Sequence, residues 1–129
     1  MQAPNSLQVW AISADAAERL SLRRRMDTRL RYEGLLAQVS GLCPARCRSA
    51  IRGGRRVDLA LVIRPGDAGM ALVQEIRAAY PRCGILWGSD RDDSLLAWRM
   101  EVDYFFLLPL TREKWDKGLR LWKQHRAFT

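Results

Sequence analysis

Short apolar runs alternate along this chain with longer segments whose apolar residues recur every three or four positions. The runs cover residues 7–12, 35–40, 59–63, 85–87 and 104–108. Brief runs of this kind, bounded by turn-forming residues, predict strands. The second run, built from Leu, Ala and Val, also fits a helix. Between the runs, Leu22, Met26 and Leu30, with Leu20 alongside, predict a helix from Asp15 to about Tyr32. Asp15 and Glu18 in its first turn suit the helix dipole. Arg23, Arg24, Arg25, Arg29 and Arg31 fall mostly on its wet side. Pro44 suits the first turn of a short second helix ending near Gly53 and Gly54. Leu72, Val73, Ile76 and Tyr80 mark a third, stopped by Pro81. A short fourth is predicted over residues 92–100. Trp115, Leu119 and Trp122, at i, i+4 and i+7, carry the fifth, with Glu113 near its start and Lys123 and Arg126 near its end.

Five strands alternating with five helices predict a parallel sheet, because parallel strands need crossovers and the crossovers place helices on the faces. The run at 59–63 is continuously apolar, as expected of a strand covered on both sides. Right-handed crossovers leave few topologies. The expected fold is α/β: a flavodoxin-like (βα)5 three-layer sandwich with strand order 2-1-3-4-5. Ligands of such sheets sit beyond the carboxyl ends of the strands, beside the switch point between strands 1 and 3. The positions to interrogate are Ser13 to Asp15, Ile63 to Asp67, Gly88 to Asp90, and Leu108 with Pro109.

Two stretches resemble a known family. Asp58-Leu-Ala-Leu-Val-Ile, Pro65-Gly-Asp-Ala-Gly69, Glu75-Ile-Arg77 and Tyr80-Pro81 are similar to the third strand and third helix of CheY-like receiver domains of two-component response regulators. Glu101-Val-Asp-Tyr-Phe-Phe-Leu-Leu-Pro-Leu110 resembles the fifth-strand signature of the same domains. The resemblance is strongest from Asp58 to Leu110. Residues 97–102 further resemble receivers that precede LytTR-type DNA-binding domains.

The resemblance implies a phosphorylation site, and the residues depart from it. In receivers, two acids after strand 1 and an Asp ending strand 3 bind magnesium, and that Asp accepts a phosphoryl group. A Thr or Ser after strand 4 and a Lys before the strand-5 proline contact the phosphoryl oxygens. A hard cation needs oxygen ligands, and transferred phosphoryl charge needs neutralising. Here the acid pair falls on Ser13 and Ala14, with Asp15 the one acid nearby. The phosphoacceptor falls on Ile63, flanked by Val62 and Arg64. The Thr or Ser falls on Gly88, or on Ser89 with a slip of one, and the Lys falls on Leu108. The losses are correlated, and Asp to Ile together with Lys to Leu removes charges that are costly to bury. The expectation is a pseudo-receiver: no phosphoacceptor, no metal site, no cofactor and no catalysis. Asp67 is expected as a capping or turn acid, and Asp90, Asp92 and Asp93 as acids opening the fourth helix.

Composition narrows the rest. The chain has 129 residues, 48% of them hydrophobic and 28% charged, which fits a single receiver-like domain over residues 1–129 with no output domain. No apolar run is long enough for a membrane helix and no signal peptide is visible, so a cytoplasmic protein is expected. The three cysteines, Cys43, Cys47 and Cys83, are expected as reduced thiols. The only histidine, His125, sits in the last turn of the last helix, where it suits the dipole. Net charge is +8, and eleven arginines but only two acids, Asp27 and Glu33, lie between Arg19 and Arg56. Such an excess favours acidic partners.

Two functions follow. The first is a phosphorylation-independent regulatory module that binds a protein partner, with a homodimer as one form. In receivers the contact face is the fourth helix, fifth strand and fifth helix. Here it offers Trp98, Arg99, Tyr104, Lys114, Trp115 and Lys117, with Trp and Arg the types enriched in interface hot spots. Trp115 and Trp122 also read as core anchors facing the sheet. The second is a basic nucleic-acid-binding regulator using the Arg-rich segment 19–56, which lacks a reader motif and interleaved aromatics.

Overall fold

The computed structural model describes residues 6–127. In chain order the elements are β1 (Leu7–Ser13), α1 (Ala16–Tyr32), β2 (Ala37–Leu42), α2 (Pro44–Arg52), β3 (Leu59–Ile63), α3 (Gly66–Ala79), β4 (Gly84–Ser89), α4 (Ser94–Arg99), β5 (Tyr104–Leu107) and α5 (Arg112–Ala127). The strands form one parallel sheet in the order β2-β1-β3-β4-β5. This is the flavodoxin-like sandwich that the alternation predicts.

Side chains alternate faces along each strand, and the two faces carry separate cores. Val9, Ala11, Leu59, Leu61, Ile63, Leu86 and Phe106 pack under α1 and α5, against Leu22, Met26, Leu30, Trp115, Leu119 and Trp122. Trp10, Ile12, Ala60, Val62, Ile85 and Trp87 pack on the other face, against Cys47 and Ala50 of α2, Leu72, Val73 and Ile76 of α3, and Ala97 of α4. Trp10 and Trp87 are fully buried there.

Local chemistry sets the ends of the elements. Asp15 caps α1, its Oδ1 accepting from the Ala17 amide at 3.0 Å. Gly34, at φ 75°, lets the chain leave α1 in a left-handed turn, with the Leu35 amide returning to the Leu30 carbonyl. That turn consumes two residues, so β2 begins at Ala37, paired with Leu7, and not at Leu35. Leu36 is exposed, as is Leu20, which lies about 200° around the helix from Leu22.

The amino ends of the strands are tied by side chains. The Asp58 carboxylate accepts from the Gln8 amide at 2.8 Å, and the Asp103 carboxylate accepts from the Ile85 amide at 2.8 Å. His125 Nδ1 lies 2.6 Å from the other oxygen of Asp103, so the histidine has a tertiary partner beyond the helix dipole. Arg77, in the last turn of α3, gathers five backbone carbonyls. Its Nε donates to Met100 at 3.0 Å. Its Nη1 donates to Tyr80, Pro81 and Cys83 at 3.2, 3.1 and 2.7 Å, and its Nη2 to Glu101 at 2.9 Å.

The cysteines are free thiols in three environments. Burial pushes Cys47 and Cys83 up to about 12. Cys43 precedes α2, where the Arg46 amide holds its thiol below the usual range. Thiolates are the reactive form and dominate above the thiol's pKa. One thiol, Cys43, is therefore expected to react with an aromatic disulfide reagent at mildly alkaline pH. The other two should react only on unfolding. Titration with and without denaturant checks this, and three fast thiols in the native protein would contradict it.

Candidate functional site

The carboxyl ends of β1, β3, β4 and β5 bring the sequence-predicted positions together. Ser13 pairs in register with Ile63, Ile63 with Gly88, and Ser89 with Leu107. Leu108 follows on β5, its amide donating to the Ser89 carbonyl at 2.9 Å. The Leu108–Pro109 peptide bond is cis.

Ile63 is 4% exposed and faces the α1–α5 core with Phe106. Gly88 lies beneath them. A Cβ there would stand 2.5 Å from Phe106 Cε2 and 3.0 Å from Ile63 Cδ1. This position near the end of β4 thus has room for glycine because Ile63 and Phe106 fill the space above it. Phe106 was not singled out as a site residue, although the period-two alternation of β5 puts it on the same face as Tyr104.

The polar groups around this packing are engaged elsewhere. The Ser13 hydroxyl donates to Glu18 Oε1 at 2.5 Å, and Arg19 donates to the Ser13 carbonyl at 2.9 Å. Ala14 is exposed and Asp15 caps α1. The Ser89 hydroxyl donates to Asp93 at 3.2 Å, and both oxygens of Asp93 lie 3.0 Å from Arg91 Nε. Arg91 Nη2 reaches Asp67 at 2.6 Å, linking the β4–α4 loop to α3. Asp67 lies in the first turn of α3 but caps nothing; its partner is Arg91. Asp92 does open α4, and Ser94, by hydroxyl and amide, holds its carboxyl below the usual range. Asp93 stands at the N-cap of α4, but its carboxylate turns inward to Ser89 and Arg91 and the residue is 6% exposed. No local pattern names Asp67 as a partner of Arg91, because it lies on another helix 24 residues away.

The predicted interface divides. Trp115 is 5% exposed and packs in the core, so it is an interior anchor and not part of the outer face with Trp98. The reason is its spacing, which puts it on the sheet-facing side with Leu119 and Trp122. Lys114 folds onto the carbonyls of Leu107 and Pro109 at 2.6 and 3.1 Å. Tyr104 is half-buried, stacked on Phe106, with the Lys117 ammonium 5.6 Å from its ring centre. Trp98 is 77% exposed and Arg99 is exposed beside it. Leu95, three residues before Trp98 on the same outer side of α4, is 61% exposed. Trp98 also walls an open cleft of about 960 Å³ that reaches Asp103, Trp122 and His125.

The Arg-rich segment is not one free stripe. Arg23 donates to the Val39 carbonyl, Arg48 pairs with Glu75, Arg56 with Asp58, and Arg31 with Asp27. Arg55 bonds Ser40 and lies over the Trp10 ring. Among the described residues no helix is long and apolar enough to cross a membrane.

No protein-family model matches the chain, and no curated protein matches it in sequence. Solved structures share its fold. A receiver domain protein (CheY-like) from Methanospirillum hungatei superposes with a TM-score of 0.71 at 15% identity, covering 96% of this chain and 99% of that one. A LuxR family DNA-binding response regulator from Silicibacter pomeroyi gives 0.73 at 11% identity, covering 92% and 93%. A Burkholderia pseudomallei protein, provisionally described as pilus assembly-related, gives 0.69 at 18% identity, covering 96% and 95%. The fold is that of CheY-like response regulator receivers.

Proposed function

We propose that this chain is a regulatory protein-interaction module that uses a receiver's fold without phosphorylation. The observation that carries the proposal is the packing of Ile63 and Phe106 over Gly88 at the carboxyl end of the sheet. An isoleucine side chain offers no oxygen to phosphorylate. The surrounding donor set does not fit magnesium either, since a hard cation takes about six oxygens. Asp15 caps a helix, Asp67 and Asp93 neutralise Arg91, and the Ser13 hydroxyl is bound to Glu18. On this reading the module is cytoplasmic, performs no chemistry of its own, and is allied to receivers of the LytTR-associated type.

Partner recognition then falls to the outer side of α4, where Leu95 and Trp98 are exposed next to Arg99. An exposed Trp beside an Arg is the composition of an interface centre. A second copy of the chain is the first partner to test.

The deciding experiment adds beryllofluoride and magnesium to the purified protein and follows tryptophan fluorescence. Trp87 precedes Gly88 on β4 and reports on this end of the sheet. No response at millimolar ligand is expected. A saturable, magnesium-dependent change would overturn the proposal. Sedimentation across a concentration series tests the partner face. Self-association is expected, weakened about thirtyfold or more in Trp98→Ala, as for loss of a hot-spot Trp. Unfolding stability should move by no more than about 0.5 kcal/mol, because the side chain is exposed. A monomer at every concentration would remove the homodimer.

A further inference from the structure

A second feature lies away from the sheet end, between α1 and α5. These helices border a groove of about 530 Å³. Helix α1 contributes Arg24, Arg25, Arg29 and Tyr32, and α5 contributes Arg112 and Trp115; no acidic residue lines it. Arg24, Arg25 and Arg112 are exposed and make no hydrogen bond or ion pair among the described residues. Arg112 opens α5, where the helix dipole adds positive potential.

Two buried donors in the lining lack acceptors. The indole N–H of Trp115, a residue 5% exposed, has no hydrogen-bond partner, and neither has Nε of Arg29. Buried donors are almost always paired; Arg29 has the equally unpaired Asp116 Oδ1 beside it, whereas the Trp115 N–H has no acceptor of the chain and is open to one from outside. Arg29 Nη2 lies 2.8 Å from Asp116 Oδ1 and 3.7 Å from Glu33 Oε1, so its charge is paired within the chain, and the free cations of the groove are Arg24, Arg25 and Arg112. Tyr32 is 80% exposed, with Arg29 5.4 Å from its ring centre.

We propose that the α1–α5 groove binds a nucleoside phosphate. The phosphates sit among Arg24, Arg25 and Arg112, an acceptor of the ligand takes the Trp115 donor, and the base lies against the Tyr32 ring. Charge complementarity selects an anion, since the lining is wholly basic or neutral. The volume selects more than a bare phosphate, because it falls in the range of small-molecule sites, roughly 300–1,000 Å³. The open aromatic ring selects a stacking group. This site is separate from the end of the sheet and does not depend on how that end is read.

The test titrates the full chain at low salt with ADP, with inorganic pyrophosphate and with a short oligothymidylate, by calorimetry. Saturable ADP binding is expected, with pyrophosphate about tenfold weaker because it lacks the base. The double variant Arg24→Ser/Arg112→Ser should weaken ADP binding at least about tenfold with an unchanged circular dichroism spectrum. Trp115→Phe, which keeps a ring and removes the donor, should weaken it as well. Equal affinity for pyrophosphate and ADP would overturn the nucleoside assignment. Tighter binding of oligothymidylate, with a steep salt dependence, would make the groove a nucleic-acid track instead. No binding of any probe at millimolar concentration would overturn the site itself.

Discussion

Arg77→Ala is expected to lower unfolding stability by about 3 kcal/mol and the melting temperature by about 12 °C, taking roughly 4 °C per kcal/mol for a domain of this size. A hydrogen bond involving a charged group contributes about 1.5–3 kcal/mol, and Arg77 reaches five carbonyls. Simple addition overstates the loss, because the side chain is partly exposed and water can reach some of the freed carbonyls. What water cannot replace is the geometry. One guanidinium holds the turn from Tyr80 to Cys83, which feeds β4, against Met100 and Glu101, which feed β5. Glu101 sits there at φ 56°, a conformation that β-carbon-bearing residues adopt at a cost, so the clamp also holds a strained position. Lys keeps the charge but offers three donors from one point, and cannot span carbonyls on both sides. Arg77→Lys should therefore recover less than half of the loss. Urea unfolding of the three proteins measures this, and a lysine variant as stable as the parent would show that charge alone suffices.

The sequence makes the layout legible because the layout is periodic. The parallel sheet with helices on its faces follows from the alternation of short apolar runs with helical segments, and each run appears within about two residues of its strand. The heptad-like spacing of Trp115, Leu119 and Trp122 puts all three on the sheet. That spacing outweighs the interface role suggested for Trp115. Position 63 is legible too, because a continuous apolar run needs only its end located. What stays hidden is whatever joins residues distant in the chain through long polar side chains. Nothing near Arg77 says that it reaches Met100 and Glu101. Nothing near His125 names Asp103, and nothing near Arg91 names Asp67. Long flexible side chains carry no period, so their partners emerge only when the fold brings the loops together. The shift of β2 has a different cause. Leu35 and Leu36 look like strand, but the left-handed Gly34 spends them on leaving α1.

The two ends of the sheet consequently do different work. The amino end is held by charged and amide groups acting on backbone, through Asp58, Asp103 and Arg77. The carboxyl end between β3 and β5 is held by apolar packing, and its charged groups neutralise one another in the loops above. In a parallel sheet the carboxyl end is where ligands bind. On the proposed reading, closing it with Ile63 and Phe106 moves recognition outward, onto the helices.

Ile63→Asp restores, at the matching position, the residue type that receivers phosphorylate, and it is expected to restore nothing else. At neutral pH the variant should lose roughly 4 kcal/mol or more, combining lost apolar burial with a carboxylate placed in an apolar cluster. The site is 4% exposed, and its Cδ1 and the Phe106 ring both lie over Gly88. Burial favours the neutral acid, so the introduced carboxyl should titrate above its unfolded value near 4. The folded state then binds the proton more tightly than the unfolded chain. Stability relative to the parent should recover as pH falls through the raised folded-state value, and should be worst above it. Urea unfolding between neutral and mildly acidic pH gives this slope. Labelling with radioactive acetyl phosphate and magnesium should leave the variant as unlabelled as the parent, since no acid pair or lysine accompanies the new carboxylate. A variant that folds as stably as the parent, gains stability from magnesium and takes the label would show that the cation site survives around position 63, and would return phosphorylation to this fold.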